Sequence, residues 1–246
     1  MIRVIVSGAA GRMGKIVAAK VNEAPDMQLV GKVDPMGNET MVQRLSDCKA
    51  EADVIIDFSN HEGTASLLAT AVERGLPVIL CTTGHTEEEL LKIREAAEKI
   101  PVFFSANMSL GIALLTRLVR LAARLFPGDA EIVETHHNRK IDAPSGTAKA
   151  LAETIRLERP GSEIVCGRSG LMKRNANEIG VQSVRMGNIT GIHEVFFGTD
   201  TETITLKHEA HDRGVFADGA IEAARFIVGK PAGLYDMEDY LGREEA

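Results

Sequence analysis

The chain has 246 residues, enough for one large domain or two small ones. Its formal net charge of −7 argues against a nucleic-acid-binding footprint, which would be basic, and 44% apolar residues allow a sizeable core. Its three cysteines, Cys48, Cys81 and Cys166, have no short spacing and so give neither a disulfide framework nor a zinc site. Reducing, cytoplasmic conditions are expected. The chain enters a strand directly, with no signal-peptide pattern, and no apolar run approaches the length of a membrane span.

Ile2-Arg3-Val4-Ile5-Val6 reads as a strand. The turn Gly8-Ala9-Ala10-Gly11-Arg12-Met13-Gly14 follows at once, then a helix with Met13, Ile16, Val17 and Val21 on one side. Leu29 to Val33 is a second strand, closed by Asp34. A strand, a glycine turn, a helix and a strand ending in an acid suit a dinucleotide. The glycines let a pyrophosphate approach the helix N-terminus, and the acid can accept from ribose hydroxyls. Asp34 favours the free 2′-hydroxyl of NADH. Arg12 and Lys32 nearby leave NADPH open as a second donor.

Pro35 to Ala52 is polar and poorly patterned. Further strands are expected at Val54–Ser59, Pro77–Cys81 and Val102–Ala106. Helices are expected over about Gly63 to Arg74 and after Thr86, where Thr86 and Glu89 make a capping box. Continuous apolar strands alternating with helices specify a parallel sheet covered on both faces, and ligands bind beyond its carboxyl ends. Thr83, Gly84 and Asn107 are the best candidates to flank a nicotinamide ring.

Ser109 starts a helix through about Phe126 that is apolar on most sides and reads as buried. Beyond it the pattern changes. Val181–Arg185, His193–Gly198 and Thr203–Glu209 read as antiparallel strands joined by connections with Gly187-Asn188 and Thr199-Asp200. Ala217 to Val228 returns to helix. The fold class is therefore α/β: an N-terminal Rossmann-like parallel sheet with helices on both faces, plus an α+β domain with a mixed, largely antiparallel sheet. The dinucleotide domain is expected over residues 1–107, completed by 214–246, and the second domain over 108–213.

The richest stretch is Glu134 to Ala148, which holds His136, His137, Arg139, Lys140 and a Pro144-Ser145-Gly146-Thr147 turn. The apolar run Glu131-Ile132-Val133 feeds it, and a helical run from Ala148 leaves it. Backbone N–H groups at a helix start favour an anion. Ser145 and Thr147 add hydroxyls, Gly146 allows close approach, and Lys140 adds a charge. A histidine is the usual proton donor or acceptor near neutral pH. The stretch reads as a clamp for a small anionic substrate that moves a proton on it; the plainer reading is a surface loop with an N-cap. His61, His85, His193, His208 and His211 read as structural. No metal site is expected, because adjacent histidines on a strand point to opposite faces.

The chain resembles the dihydrodipicolinate reductase family, also named 4-hydroxy-tetrahydrodipicolinate reductase. The likeness rests on Gly8 to Gly14, Val54 to Thr64, Thr82-Thr83-Gly84, Glu134 to Ala148 and Gly233 to Met237. It implies NADH- or NADPH-dependent reduction of a cyclic dicarboxylate to tetrahydrodipicolinate in lysine and diaminopimelate biosynthesis. It implies that His136 is the general acid/base with Lys140 as its accompanying cation. His137, Lys140, Ser145, Gly146 and Thr147 match substrate-binding positions. Gly8, Ala9, Ala10, Gly11, Arg12, Met13, Gly14, Asp34, Thr82, Thr83, Gly84, Ala106, Asn107 and Met108 match cofactor positions. It also implies a homotetramer built through the second domain's sheet. Without the resemblance, an aspartate-type dehydrogenase or a nucleotide-sensing regulator would fit the same fold.

Overall fold

The computed structural model describes residues 1–242. Along the chain come β1 (Ile2–Ser7), α1 (Arg12–Glu23), β2 (Met27–Val33), β3 (Val54–Asp57), α2 (Thr64–Arg74), β4 (Val78–Leu80), α3 (Glu87–Ala97) and β5 (Pro101–Phe104). Next are α4 (Leu110–Leu125), β6 (Asp129–His136), α5 (Gly146–Glu158), β7 (Glu163–Cys166), β8 (Glu178–Arg185), β9 (Gly191–Gly198) and β10 (Thr203–Ala210). The last elements are α6 (Gly214–Ile227), β11 (Gly233–Tyr235) and α7 (Met237–Tyr240). Two compact units result: residues 1–110 with the described residues from Gly214 onward, and residues 111–213.

The first unit is a six-stranded sheet in the order β11-β5-β4-β3-β1-β2, and every neighbouring pair is parallel. The middles of its central strands are apolar because both faces are covered; Val4, Ile5, Val6, Ile55, Ile56 and Ile79 are fully buried. The chain reverses direction across the sheet between β1 and β3, the place where open α/β sheets bind ligands. The Thr86–Glu89 capping box starts α3, and Gly75 ends α2 in the left-handed conformation. The short strand β11 was not expected from the sequence; it joins the sheet edge beside β5.

The second unit is a five-stranded sheet in the order β10-β9-β6-β8-β7. β9 is antiparallel to β6 and β10, whereas β8 is parallel to both β6 and β7. The expected antiparallel reading of Val181–Arg185 is thus corrected. The reason is topological: β8 and β9 flank β6, so the Gly187-Asn188 connection cannot be a hairpin. It passes across the end of β6, where His137 N–H donates to the Ile189 carbonyl at 2.8 Å and Asn138 N–H to that of Gly187 at 3.3 Å. Thr199-Asp200 does close a hairpin, between β9 and β10.

One face of this sheet carries the core. Ile132, Ile179, Val181, Val195 and Phe197 pack with Leu115 and Val119 of α4 and with Leu151 and Ile155 of α5. The reading of α4 as buried is corrected as well. Its stripe of Ile112, Leu115 and Val119 is covered, but Leu114, Leu118, Leu121 and Leu125 are exposed, because a helix lying on a sheet covers only one stripe. Along β6 burial alternates, so Ala130, Ile132, Glu134 and His136 share the inward face. The apolar row becomes polar at the strand's carboxyl end.

Helix α6 starts at Gly214, three residues before the expected Ala217 (217 − 214 = 3). Gly219 on it lies against the Met108 carbonyl, and a Cβ there would stand 1.6 Å from that oxygen. Gly219→Ala must push the helix and the 106–108 turn apart. Urea unfolding is expected to show a loss of about 1–3 kcal/mol, and unchanged stability would mean the turn yields freely.

Candidate active site

The carboxyl ends of the first sheet form a cradle of backbone. Gly8 has φ 73°, and a Cβ on it would lie 2.4 Å from the Phe58 carbonyl oxygen. A Cβ on Gly14, the third residue of α1, would lie 2.0 Å from the Gly8 oxygen. Only glycine fits either place, and the result is a bare turn running into the N-terminus of α1. Gly11 is the N-cap, without a side-chain cap, so Arg12 and Met13 open the helix. Ala9 is buried within the turn.

Asp34, at the end of β2, is buried, and its two carboxylate oxygens accept from Ala10 N–H and Met36 N–H, each at 3.0 Å. The acid therefore holds the glycine turn in place as well as standing at the expected ribose position. Thr82 donates its hydroxyl to the buried Asp57 at 2.7 Å, and Gly84 takes φ 88°. After Ala106, the Asn107 side chain accepts from Ser109 N–H at 2.9 Å, and Met108 is buried. The predicted cofactor residues thus lie at the carboxyl ends of β1, β2, β4 and β5.

In the second unit the inward face of β6 ends in Glu134 and His136. Glu134 is fully buried. Its Oε2 accepts from His136 Nδ1 at 2.6 Å and from Arg185 Nη1 at 2.8 Å. Its Oε1 accepts from Arg185 Nη2 at 2.7 Å and from Ser145 N–H at 3.1 Å. Burial pushes its pKa up, but the Arg185, His136, Ser183 and Ser145 hydrogen bonds pull it further down, to about 2. Arg185 also donates to the Asp142 carbonyl at 2.7 Å, tying the 137–145 loop to the same point.

Ser145 is the N-cap of α5; its hydroxyl accepts from Ala148 N–H at 3.2 Å and pairs with His193 Nε2 at 3.1 Å. The His193 ring lies edge-on to that of His136, with centroids 5.3 Å apart. Burial lowers the His136 pKa, and the Glu134 hydrogen bond and charge partly restore it. Lys140 pairs with Asp142 at 2.7 Å, and Arg139 bonds Asn188. His137 has a buried Nδ1 without a hydrogen-bond partner. Gly146 opens α5 where a Cβ would meet nothing within 4 Å, so packing does not demand glycine there. Thr147 follows it in the first turn, half-buried.

The structure thus gathers His136, Ser145 and Gly146 around the end of β6, with Lys140 near enough to bear on His136. Three of the residues assembled there carried no role in the sequence reading: Glu134, Arg185 and His193. Strand alternation offered a signal for His193, which shares the inward face of Val195 and Phe197. Among the described residues no cluster of His, Cys, Asp or Glu is placed to hold a metal ion.

A dinucleotide cradle in one unit and a buried acid–base cluster in the other define a two-unit, Rossmann-type dehydrogenase. Family comparison narrows this class: residues 2–108 match the N-terminal and residues 111–241 the C-terminal model of dihydrodipicolinate reductase. The chain belongs to the dihydrodipicolinate reductase family and is an NAD(P)H-dependent oxidoreductase. The 4-hydroxy-tetrahydrodipicolinate reductase of Caldanaerobacter subterraneus subsp. tengcongensis is 47% identical, covering 97% of this chain and 98% of that protein. That of Clostridium novyi is 42% identical, covering 98% of each. Among solved structures, the dipicolinate-bound dihydrodipicolinate reductase of Paenisporosarcina sp. TG-14 superposes with a TM-score of 0.82 at 25% identity, covering 96% of this chain and 97% of that one. An aspartate dehydrogenase of Thermotoga maritima shares the fold, with a TM-score of 0.53 at 13% identity, covering 94% of this chain and 98% of that one.

His193 gives the second unit a pH-dependent stability. Burial, then the neighbouring His136, lowers its pKa from 6.5 to about 4. The unfolded chain binds this proton below its ordinary pKa while the folded one resists it, so stability falls as pH drops from 6.5 toward 4. The His193-dependent part amounts to about 3 kcal/mol. Unfolding free energies of the wild type and His193→Asn across that range should diverge accordingly; parallel curves would refute the assignment.

Proposed function

We propose that this chain reduces 4-hydroxy-tetrahydrodipicolinate to tetrahydrodipicolinate, with His136 moving the proton and Lys140 supporting it. The observation that carries this reading is the placement of His136 at the buried end of β6, beside the donor-rich start of α5. A dicarboxylate needs two cationic or donor contacts. The first turn of α5, with Ser145, Gly146 and Thr147, supplies one. Lys140 supplies the other, and His137 adds a ring nitrogen. The Lys140–Asp142 pair is no obstacle, since Asp142 is 56% exposed and such pairs are worth about 0–1 kcal/mol. A substrate carboxylate can replace it.

The glycine cradle fits a dinucleotide pyrophosphate, because Cβ atoms at Gly8 and Gly14 would fill it. A reduced nicotinamide supplies the hydride when bound. Gly8, Ala9, Ala10, Gly11, Arg12, Met13 and Gly14 would hold the phosphates, Asp34 the ribose, and Thr82, Thr83, Gly84, Ala106, Asn107 and Met108 the nicotinamide end. Asp34 disfavours a 2′-phosphate by charge repulsion and makes NADH the better donor.

The protein is read as a cytoplasmic homotetramer. Val133, Ile192 and Phe196, half-buried, and Val184, exposed, lie on the sheet face turned away from the α4–α5 core, which suits an interface between copies. Light scattering at several concentrations tests it; a monomer throughout would refute it. Among the described residues no helix is long and apolar enough to cross a membrane.

The decisive assay follows the reduced nicotinamide's absorbance while a synthase makes the substrate in situ. Oxidation should require the synthase product. His136→Gln should lower kcat by roughly 10²–10⁴-fold with NADH binding intact, and near-normal turnover would remove His136 from the proton step. Asp34→Asn keeps one acceptor and loses the charge. The NADH-to-NADPH ratio of kcat/KM should then shift toward NADPH by roughly tenfold, whereas an unchanged ratio would separate Asp34 from cofactor choice.

A further inference from the structure

Glu134 is a carboxylate with no exposure, engaged by donors from His136, Arg185, Ser145 and Ser183, and one of its oxygens lies 2.6 Å from His136 Nδ1. A carboxylate can only accept hydrogen bonds. Arg185 and the Ser145 backbone donate to it, so it stays ionised, and the His136 nitrogen facing it must carry a proton. That holds for both the neutral and the cationic ring. The proton that comes and goes is therefore the one on Nε2. Gly191 borders that edge: a Cβ there would stand 3.0 Å from Nε2.

We propose that Glu134, braced by Arg185, is the positioning residue of the proton step: it fixes the Nδ1–H tautomer of His136, so that Nε2 alone exchanges a proton with the substrate. This rests on the reading of His136 as the acid/base. Arg185 has a second effect. A lone buried carboxylate would strongly favour the imidazolium, and the bidentate guanidinium offsets that pull, leaving the ring free to give up its proton. The other titratable groups that bear on His136 are Lys140 in the loop, the adjacent His137 and His193 on β9; Asp142 pairs with Lys140, while Ser145 and Ser183 bond Glu134. Of these Lys140 opposes a charged ring, and His193 is neutral above pH of about 4.

The first measurement needs no variant. In protein labelled with ¹⁵N-histidine, two-bond ¹⁵N–¹H correlations report the tautomer of each neutral ring, and His136→Gln identifies the His136 signals. Nδ1–H is expected, and Nε2–H would overturn the proposal. Glu134→Gln extends the test. Its amide oxygen belongs toward Ser145 N–H and Arg185 Nη2, which only donate; its nitrogen then faces Nδ1, gives up the Arg185 Nη1 hydrogen bond, and should switch His136 to the Nε2–H form. kcat should fall by roughly 10²-fold or more, as loss of a general acid/base requires, with the NADH KM unchanged and activity partly rescued in Glu134→Asp. Arg185→Gln separates positioning from mere structure. In the pH profile of kcat, the His136 limb should move acid in Glu134→Gln and alkaline in Arg185→Gln, each by about one pH unit or more. Should Glu134→Gln not fold, the wild-type tautomer and the Arg185→Gln shift decide. Shifts in the same direction, or none, would reduce the pair to scaffolding. An active His136→Gln would instead sink the reading beneath it while leaving the tautomer result standing.

Discussion

A carboxylate with no solvent access is the constraint on which the second unit turns. Moving an ion of that size out of water costs several kcal/mol even in a relaxed protein, and only well-aligned partners return it. Glu134 meets the cost with hydrogen bonds of 2.6 to 3.1 Å from His136, Arg185 and Ser145. Those partners come from β6, β8 and the start of α5, and Arg185 reaches on to the loop carbonyl of Asp142. A displacement of any of these segments would leave charge buried and unpaired. The chemistry-bearing loop is thus fixed by an electrostatic knot, although the loop itself is partly exposed.

The first unit uses a related device on a smaller scale. Asp34 stands at the end of β2 and accepts the Ala10 N–H, as Glu134 stands near the end of β6 and accepts the Ser145 N–H. In both cases an acid at a strand's carboxyl end secures the turn that opens a helix. The helix N-terminus then faces outward with its donors in place. The proposed substrate clamp and the glycine cradle rest on the same local physics, reached from unrelated sequences.

Much of this is legible in the amino-acid sequence. Continuous apolar strands, and a glycine turn followed by a helix and a strand ending in Asp34, mark the parallel sheet and its cradle, because those patterns follow from local sterics and burial on two faces. The Glu134 to Ala148 stretch disclosed its histidines, lysine and cap for the same local reason. What escaped depends on pairing between distant segments. Arg185 and His193 meet Glu134 and His136 only through the registers His136↔Arg185 and Glu134↔His193. Strand periodicity fixes which face a side chain takes but not which strand lies beside it. The direction of β8 and the exposed leucines of α4 failed on that account. So did β11, whose three residues are too few to show a period.

The segment from Met186 to Thr190 crosses the end of β6, and its hydrogen bonds to His137 and Asn138 make it a strap. A hairpin tip can lengthen outward at little cost, as the turn at Thr199-Asp200 could, because its ends are already neighbours. The strap has no such freedom. It must bridge β8 and β9 over a strand of fixed width while keeping its hydrogen bonds to the residues that follow His136. An inserted residue would lift it, and the two histidines would lose the backbone that seats them. Chain length at this crossing is therefore under tighter control than residue identity, so evolutionary drift should be visible there in composition rather than in size.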